Sequence, residues 1–307
     1  MWRYTVRRIL QMIPVLIGTT FIIYAMVFAL PGDPIQALAG GKPLPKSVLN
    51  ALHERYNLND PLVVQYFKYM ANALQGDFGE TFNGQSVTSA LESRWPVTLK
   101  LAAVAWIFEL VAGVALGVWA GLRRGKFADR AILGGTTLII AVPTFVVAYT
   151  AQLLFGLKWD IFPVAGNQDG FVSYILPGIV IGSFSLAFVA RLVRTSIAEN
   201  MRADYIRTAR AKGLPKHRVV IRHLLRNSLI PVVTYLGVDL GSLMAGTVVT
   251  EAVFNLPGIG QGIFQAVQNQ QGTLVVGVTT ILVLIYLFAN LIVDLLYGVL
   301  DPRIRYE

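Results

Sequence analysis

Long apolar runs separated by short polar breaks set the pattern of this chain. A hydrocarbon core of roughly 30 Å is crossed by about 20 apolar residues in a helix. Six stretches reach that length: Ile9–Leu30, Thr98–Leu122, Ala131–Leu157, Ser173–Val193, Ile230–Phe254 and Leu274–Val299. The pattern predicts an all-α integral membrane protein with six transmembrane helices. The last three runs hold more Gly and polar residues than the first, which predicts burial against other helices rather than against lipid. Residues 1–30 read as an N-terminal elbow with the first span, 31–97 as an extracytoplasmic loop region, 98–299 as a core of five helices, and 300–307 as a tail. Ala37-Leu38-Ala39 imitates a cleavage site, but the apolar run before it exceeds the roughly 7–15 residues of a signal-peptide core. The first span is therefore expected to be an uncleaved signal anchor.

Small residues recur at helical spacing inside the runs. Gly113, Gly117 and Gly121 lie four apart in the second, Gly178 and Gly182 in the fourth, and Gly237, Gly241 and Ala245 in the fifth. Such stripes let helix backbones approach closely in lipid. The segment from Pro31 to Val97 is too long to be structureless. Asn57-Leu58-Asn59-Asp60-Pro61 reads as a turn leading into a short helix over Leu62–Leu74, which Gly76-Asp77-Phe78-Gly79 breaks. It is either a plain outer cap or a contact surface for an extracytoplasmic delivery protein.

Composition agrees with the pattern. Of 307 residues, 55% are hydrophobic and 14% charged, against about a quarter charged in a soluble domain. The net charge of +9 matters by position, because Lys and Arg are retained on the cytoplasmic side. With the N-terminus inside, the inner segments hold 19 Lys and Arg and the outer segments 7, so both termini are expected to be cytoplasmic. The absence of cysteine excludes disulfides, thiolate metal sites and cysteine nucleophiles. His53, His217 and His223 are too scattered to form a metal site.

Three acids fall inside or near the ends of spans, Glu109, Asp239 and Asp294, and Glu251 sits at the outer end of the fifth. A charge at the bilayer centre costs roughly 2.5–3.5 kcal/mol even on the lenient insertion scale, so these groups face protein, water or a partner. Asp294 reads as structural. Asp239, with Gly241 in the same stripe and Glu251 beyond it, is the candidate lining of a hydrophilic path.

One polar segment stands apart. From Arg194 to Arg226 there are nine Lys or Arg against Glu199 and Asp204. Within the loop 194–229, Ile206 and Ala209 are three apart, and Gly213 is placed to close a short helix in the left-handed conformation. A second amphipathic helix follows the Gly213-Leu214-Pro215 corner, with Val220, Leu224, Ile221 and Leu225 on one side and Arg218, Arg222 and Arg226 on another. Positive-inside anchoring accounts for the later arginines. It does not account for a small-residue helix, Thr208-Ala209-Arg210-Ala211, ending in Gly, which suits insertion into a cleft on another protein. One aromatic, Tyr205, gives no stacking platform, so nucleic acid is not an expected partner.

Asp204-Tyr205-Ile206-Arg207-Thr208-Ala209-Arg210-Ala211-Lys212-Gly213-Leu214, followed by His223-x-Leu225-Arg226-Asn227-Ser228-Leu229-Ile230-Pro231, resembles the EAA loop of binding-protein-dependent ABC importer permeases. Arg207-Thr208-Ala209 in place of Glu-Ala-Ala, and Arg226 in place of Pro, resemble the dipeptide/oligopeptide branch. Tyr4-x-x-Arg7-Arg8, Pro31-Gly32-Asp33-Pro34, Gln65-Tyr66, Gly76-Asp77-Phe78-Gly79, Phe254-x-x-Pro257-Gly258-Ile259-Gly260 and Asp301-Pro302-Arg303-Ile304-Arg305 extend the resemblance over nearly the whole chain. It implies a type I ABC importer permease of MetI-like architecture in the cytoplasmic membrane of a prokaryote, with the loop as coupling helix. Asp204, Tyr205, Arg207, Thr208, Ala209, Arg210, Ala211, Lys212, Gly213 and Leu214 are then the expected ATPase-docking residues, and Asp239, Gly241 and Glu251 the translocation-path candidates. The implied partners are a second homologous permease, two ABC ATPase subunits (or one fused), an extracytoplasmic substrate-binding protein, membrane lipid and a peptide substrate. Glutathione and nickel remain alternative cargoes. No cofactor is expected on this chain, with ATP and Mg on the ATPases, and no catalytic residue. Gly121-Leu122-Arg123-Arg124-Gly125-Lys126-Phe127 misses the phosphate-binding pattern G-x-x-x-x-G-K-[ST] by one residue and the hydroxyl. An ion-coupled secondary transporter, which would use the intramembrane acids and often an inverted repeat, is the reading from another class; no convincing repeat relates 1–150 to 151–307.

Overall fold

The computed structural model describes residues 2–29, 35, 45–55, 57–81, 84–245 and 247–300. The motif Pro31-Gly32-Asp33-Pro34, the Ala37-Leu38-Ala39 cleavage-site mimic and the tail 301–307 with its Asp301-Pro302-Arg303 motif lie outside the described residues. Within them the regular structure is helical, apart from one antiparallel bridge between Glu80 and Ser86. In chain order the helices are α1 (Trp2–Phe28), α2 (Lys46–Arg55), α3 (Leu62–Ala73), α4 (Val87–Leu122), α5 (Phe127–Ala141), α6 (Thr144–Lys158), α7 (Ile175–Asn200), α8 (Asp204–Ala211), α9 (216–228), α10 (Ile230–Ala245), α11 (Val248–Val253), α12 (Ile259–Gln268) and α13 (Gly272–Leu300).

Four helical stretches are long and apolar enough to cross a membrane, Tyr4–Phe28, Val87–Leu122, Gly170–Asn200 and Gly272–Leu295, or five if α5 and α6 form one bent span. Two of the six expected runs are therefore not continuous helices. The run Ala131–Leu157 is bent by 102° between α5 and α6. Pro143 lacks an N–H and crowds the residue before it, and Val142 is accordingly extended at φ −97°, ψ 132°. The run Ile230–Phe254 divides into α10 and α11. With 16 residues, α10 is about 24 Å long, short of a full hydrocarbon core. Thr247 then starts α11, donating its hydroxyl to Glu251 Oε1 at 2.5 Å within the buried interior.

The chain divides into two compact units, the first formed by 1–98 and 257–307 and the second by 99–256; α4 runs from one into the other. In the first unit α1 packs along α13. Tyr24, Tyr66 and Val276 share a buried cluster, and a Cβ at Gly272 would lie 2.6 Å from Val27. Tyr66 seats α3 against α1: its hydroxyl meets Thr20 Oγ1 at 2.8 Å and donates to the Ile17 carbonyl at 3.1 Å. Gln65 Nε2 closes the preceding turn on the Asp60 carbonyl at 2.7 Å. The expected break after α3 is present, with Gly76 and Gly79 at φ 87° and 95°. A second cluster joins Val87 and Leu91 of α4 to Ile259 of α12 and Val278 and Leu282 of α13. Asp294 has the structural part read from the sequence: Arg8 Nη2 reaches its carboxylate at 3.2 Å.

The second unit is built on α4 against α7, and here the glycine stripes explain the fit. A Cβ at Gly117 would stand 2.6 Å from both the Ala190 carbonyl and Val193 Cβ, and one at Gly121 2.9 Å from Ile197. Gly178 and Gly182 of α7 reciprocate against Val104 and the Ala105 carbonyl. Helices this close gain dispersion contacts that longer side chains would hold apart. The turn that carries the phosphate-loop near miss, between α4 and α5, is held otherwise: Gly125 N–H donates to Asp129 Oδ2 at 2.8 Å. Asp129 in turn receives a bidentate pair from Arg194, both bonds at 2.9 Å.

Candidate functional site

The basic loop folds as two helices around a Gly-Leu-Pro corner, as its pattern predicts. Asp204 begins α8, pairing with Arg207 one turn on, and its carbonyl accepts from Thr208 Oγ1 at 3.0 Å. Acids stabilise a helix N-terminus and bases its C-terminus, and Asp204 and Arg210 occupy those ends. The helix stops on Gly213 at φ 73°. Leu214 N–H bonds the Ala209 carbonyl at 3.3 Å and Gly213 N–H the Arg210 carbonyl at 3.0 Å. That is the Schellman closure, with Leu214 placed to cover Ala209. Pro215 then caps α9, whose centre, Val219–Leu225, is wound as a π-helix.

The structure divides the expected docking residues into two faces. Asp204, Tyr205, Arg207, Thr208, Arg210, Ala211, Lys212 and Gly213 are exposed, and nothing lies within 4 Å of where a Gly213 Cβ would stand. Ala209 is not part of that surface. With Ile206 it is buried in a core that also holds Val189, Val193 and Ile197 of α7, Val219 and Leu224 of α9, and Val232 and Leu236 of α10. Leu214 packs against the same core. Tyr205 is tied back to the end of α7, donating to Asn200 Oδ1 at 2.6 Å, and Ser228 of α9 reaches the Ser196 carbonyl at 3.4 Å. One apolar core therefore continues from the loop helix, with its polar outer face, into α10.

The path candidates all lie in the second unit. Gly241 is buried on α10 and Glu251 is fully buried on α11. Asp239 is half-buried and accepts from Ser185 Oγ at 3.2 Å and from the Tyr235 hydroxyl at 3.4 Å. The structure adds Glu109, fully buried on α4. It lies one turn before Gly113, where that helix meets Leu186 and Val189 of α7 beside the Ser185–Asp239 contact, so that it faces Asp239 and Ser185. Trp106, one turn before Glu109, donates its indole N–H to the Leu236 carbonyl at 2.8 Å and fixes α4 beside α10 at this level. Glu109 stands out in the sequence as an intramembrane acid, but Asp239 lies 130 positions further along the chain, too far for any sequence pattern to show that the two meet. Among the described residues no group of three or more His, Asp or Glu side chains is arranged to hold a metal ion.

Comparison with known proteins places this arrangement. Residues 1–102 match the family model described as the N-terminal part of binding-protein-dependent transport system membrane components, and residues 113–306 match the model of the binding-protein-dependent transport system inner membrane component. The chain belongs to this family and is a multi-pass inner-membrane protein. Among its relatives, the dipeptide transport system permease protein DppB of Escherichia coli (strain K12) is 33% identical over 338 aligned residues, covering 100% of both chains. The oligopeptide transport system permease protein OppB is 35% identical over 309 residues in E. coli K12 and in Salmonella typhimurium LT2, again covering 100% of both chains. Among solved structures, the MetNI methionine ABC transporter in an inward-facing form aligns with a TM-score of 0.52 at 20% identity, over 67% of this chain and 95% of that one. At that identity the likeness is one of fold.

Proposed function

We propose that this chain is a permease subunit of an ABC importer for di- or oligopeptides, driven by separate ATPase subunits that dock on α8. Similarity to DppB and OppB over full length supports the cargo class. The subunit itself does no chemistry on ATP. It works with a second homologous permease, two ATPase domains and an extracytoplasmic substrate-binding protein. Six crossings put both ends of the chain in the cytoplasm, with the bent pair α5 and α6 as the third crossing and α10 with α11 as the fifth.

The observation that carries the mechanism is the two-faced α8. Its outer face offers charge, small side chains and an open glycine tip to a partner, while Ile206 and Ala209 are locked into the core shared with α10. ATP that draws two ATPases together moves α8 with them, and the shared core passes the displacement to α10. Asp239 and Gly241 are carried by that helix and Glu251 follows it, so the path they line changes its exposure. ATP achieves this by favouring one arrangement over the other.

The test is Gly213→Asp, paired with Arg210→Glu on the exposed face. Arg210→Glu is expected to melt close to wild type and Gly213→Asp to lose roughly 1–2 kcal/mol to its left-handed backbone, yet both are expected to lose co-purification of the ATPase and substrate-stimulated hydrolysis. If both properties survive in correctly folded variants, docking through α8 is wrong. Uptake by a deletion strain of dipeptides, oligopeptides, glutathione and nickel, measured side by side, assigns the cargo.

A further inference from the structure

Counting donors around Glu109 leaves a deficit. Glu109 is fully buried, and among the described residues neither of its carboxylate oxygens has a donor; Asp239 Oδ2 is likewise buried without one. The two hydroxyls nearby, Ser185 and Tyr235, are both spent on Asp239 Oδ1. Each carries one hydrogen to give, so turning either toward Glu109 removes it from Asp239. The cations of α7 do not help: Arg191 is turned to Thr136 and Thr137 of α5, and Arg194 to Asp129. Among the described residues Tyr235, Glu109 and Asp239 are thus the titratable groups that meet here, and none brings positive charge. Two like charges facing one another out of water cannot both be ionised at tolerable cost. Bare acceptors left in a buried site demand a donor.

We propose that Glu109 and Asp239 form a proton-binding site, in which one proton is shared between the two carboxyl groups and bridges α4 to α10. The shared proton turns an acceptor facing an acceptor into an O–H···O⁻ hydrogen bond, the short and strong charge-assisted kind. Backbone geometry serves the same end. Glu109 opens the π-helical segment Glu109–Gly113, a widened turn of the sort that recurs at functional sites. Gly113 at its close lets α7 approach until a Cβ there would be 2.9 Å from Val189, which brings Ser185 of α7 within reach of the pair. Ser185 and Tyr235 then orient Asp239, and the proton occupies the remaining gap.

The chain is held in lipid nanodiscs with its partner subunits and followed by infrared spectroscopy across a pH titration in heavy water. The wild type is expected to show the carbonyl stretch of a neutral carboxylic acid that exchanges slowly, and to lose it on alkalinisation. Glu109→Gln and Asp239→Asn are each expected to lack the band. A folded state that holds one more proton than the unfolded state loses stability as pH rises, so the wild-type melting temperature should fall with alkalinity. Glu109→Gln keeps a donor facing Asp239 and should melt with a flatter pH profile. The proposal fails if the wild type lacks the band, or if Glu109→Gln and wild type share one pH profile. It also fails if added sodium or potassium raises the wild-type melting temperature and leaves Glu109→Gln unmoved, since the occupant is then a metal cation.

Discussion

Gly117 on α4 has no space for a side chain, because the Ala190 carbonyl and Val193 Cβ occupy it. A backbone oxygen cannot swing away as a side-chain end can, so Gly117→Ala must push α4 off α7. The expected loss is about 1–3 kcal/mol, read as a lower melting temperature of the detergent-purified subunit. Gly134→Ala on α5, where nothing lies within 4 Å, should stay within about 0.5 kcal/mol of wild type and serves as control. Arg194 supports a different prediction. Removing one partner of a buried ion pair strands the other charge, and Asp129 is almost completely buried. Arg194→Gln should therefore cost about 3 kcal/mol. Arg191→Gln loses hydrogen bonds to two hydroxyls alone and should cost under about 1 kcal/mol. If the two variants melt alike, the Asp129 pair is not what holds α5 to α7.

At the level of elements, α8 is a short helix that cannot stand by itself, since isolated helices of fewer than about 12 residues are marginal in water. Its fold is lent by Ile206 and Ala209 in the common core. Ile206→Ala should cost roughly 2–5 kcal/mol and, in the assembled importer, lower transport more than ATPase binding, because the outer face is left intact while the connection to α10 loosens. Equal loss of both would mean that docking and transmission are not separable here. The sequence makes α8 readable because its signals are local: an acid at the start, a glycine at the stop, two apolar residues three apart. The bend at Val142-Pro143 was readable in principle, since Pro143 sits inside an apolar run that length alone assigns to one helix. The division of the fifth run and the burial of Ala209 were not, because each depends on neighbours distant in the chain. The Glu109–Asp239 pair belongs with these. Periodicity marks both acids as costly, but which side chain answers which is decided when α4 meets α10.

For the whole molecule, orientation is the property that charge distribution predicts and direct labelling decides. A cysteine-free sequence makes every introduced thiol unique. Lys212→Cys should react with a membrane-impermeant maleimide only after the cells are opened, and Gln75→Cys in intact spheroplasts. The reverse result would place α8 outside and end the docking model. The two compact units also differ in how they are strung. The second is one uninterrupted piece of chain, whereas the first joins 1–98 to 257–307, and the Arg8–Asp294 bridge ties helix α1 to helix α13. A ribosome making this protein releases α1 long before its companion exists. The first helix must therefore wait in the bilayer with Arg8 held by Tyr4 of its own turn, and the bridge to Asp294 closes only once the last helix has been synthesised.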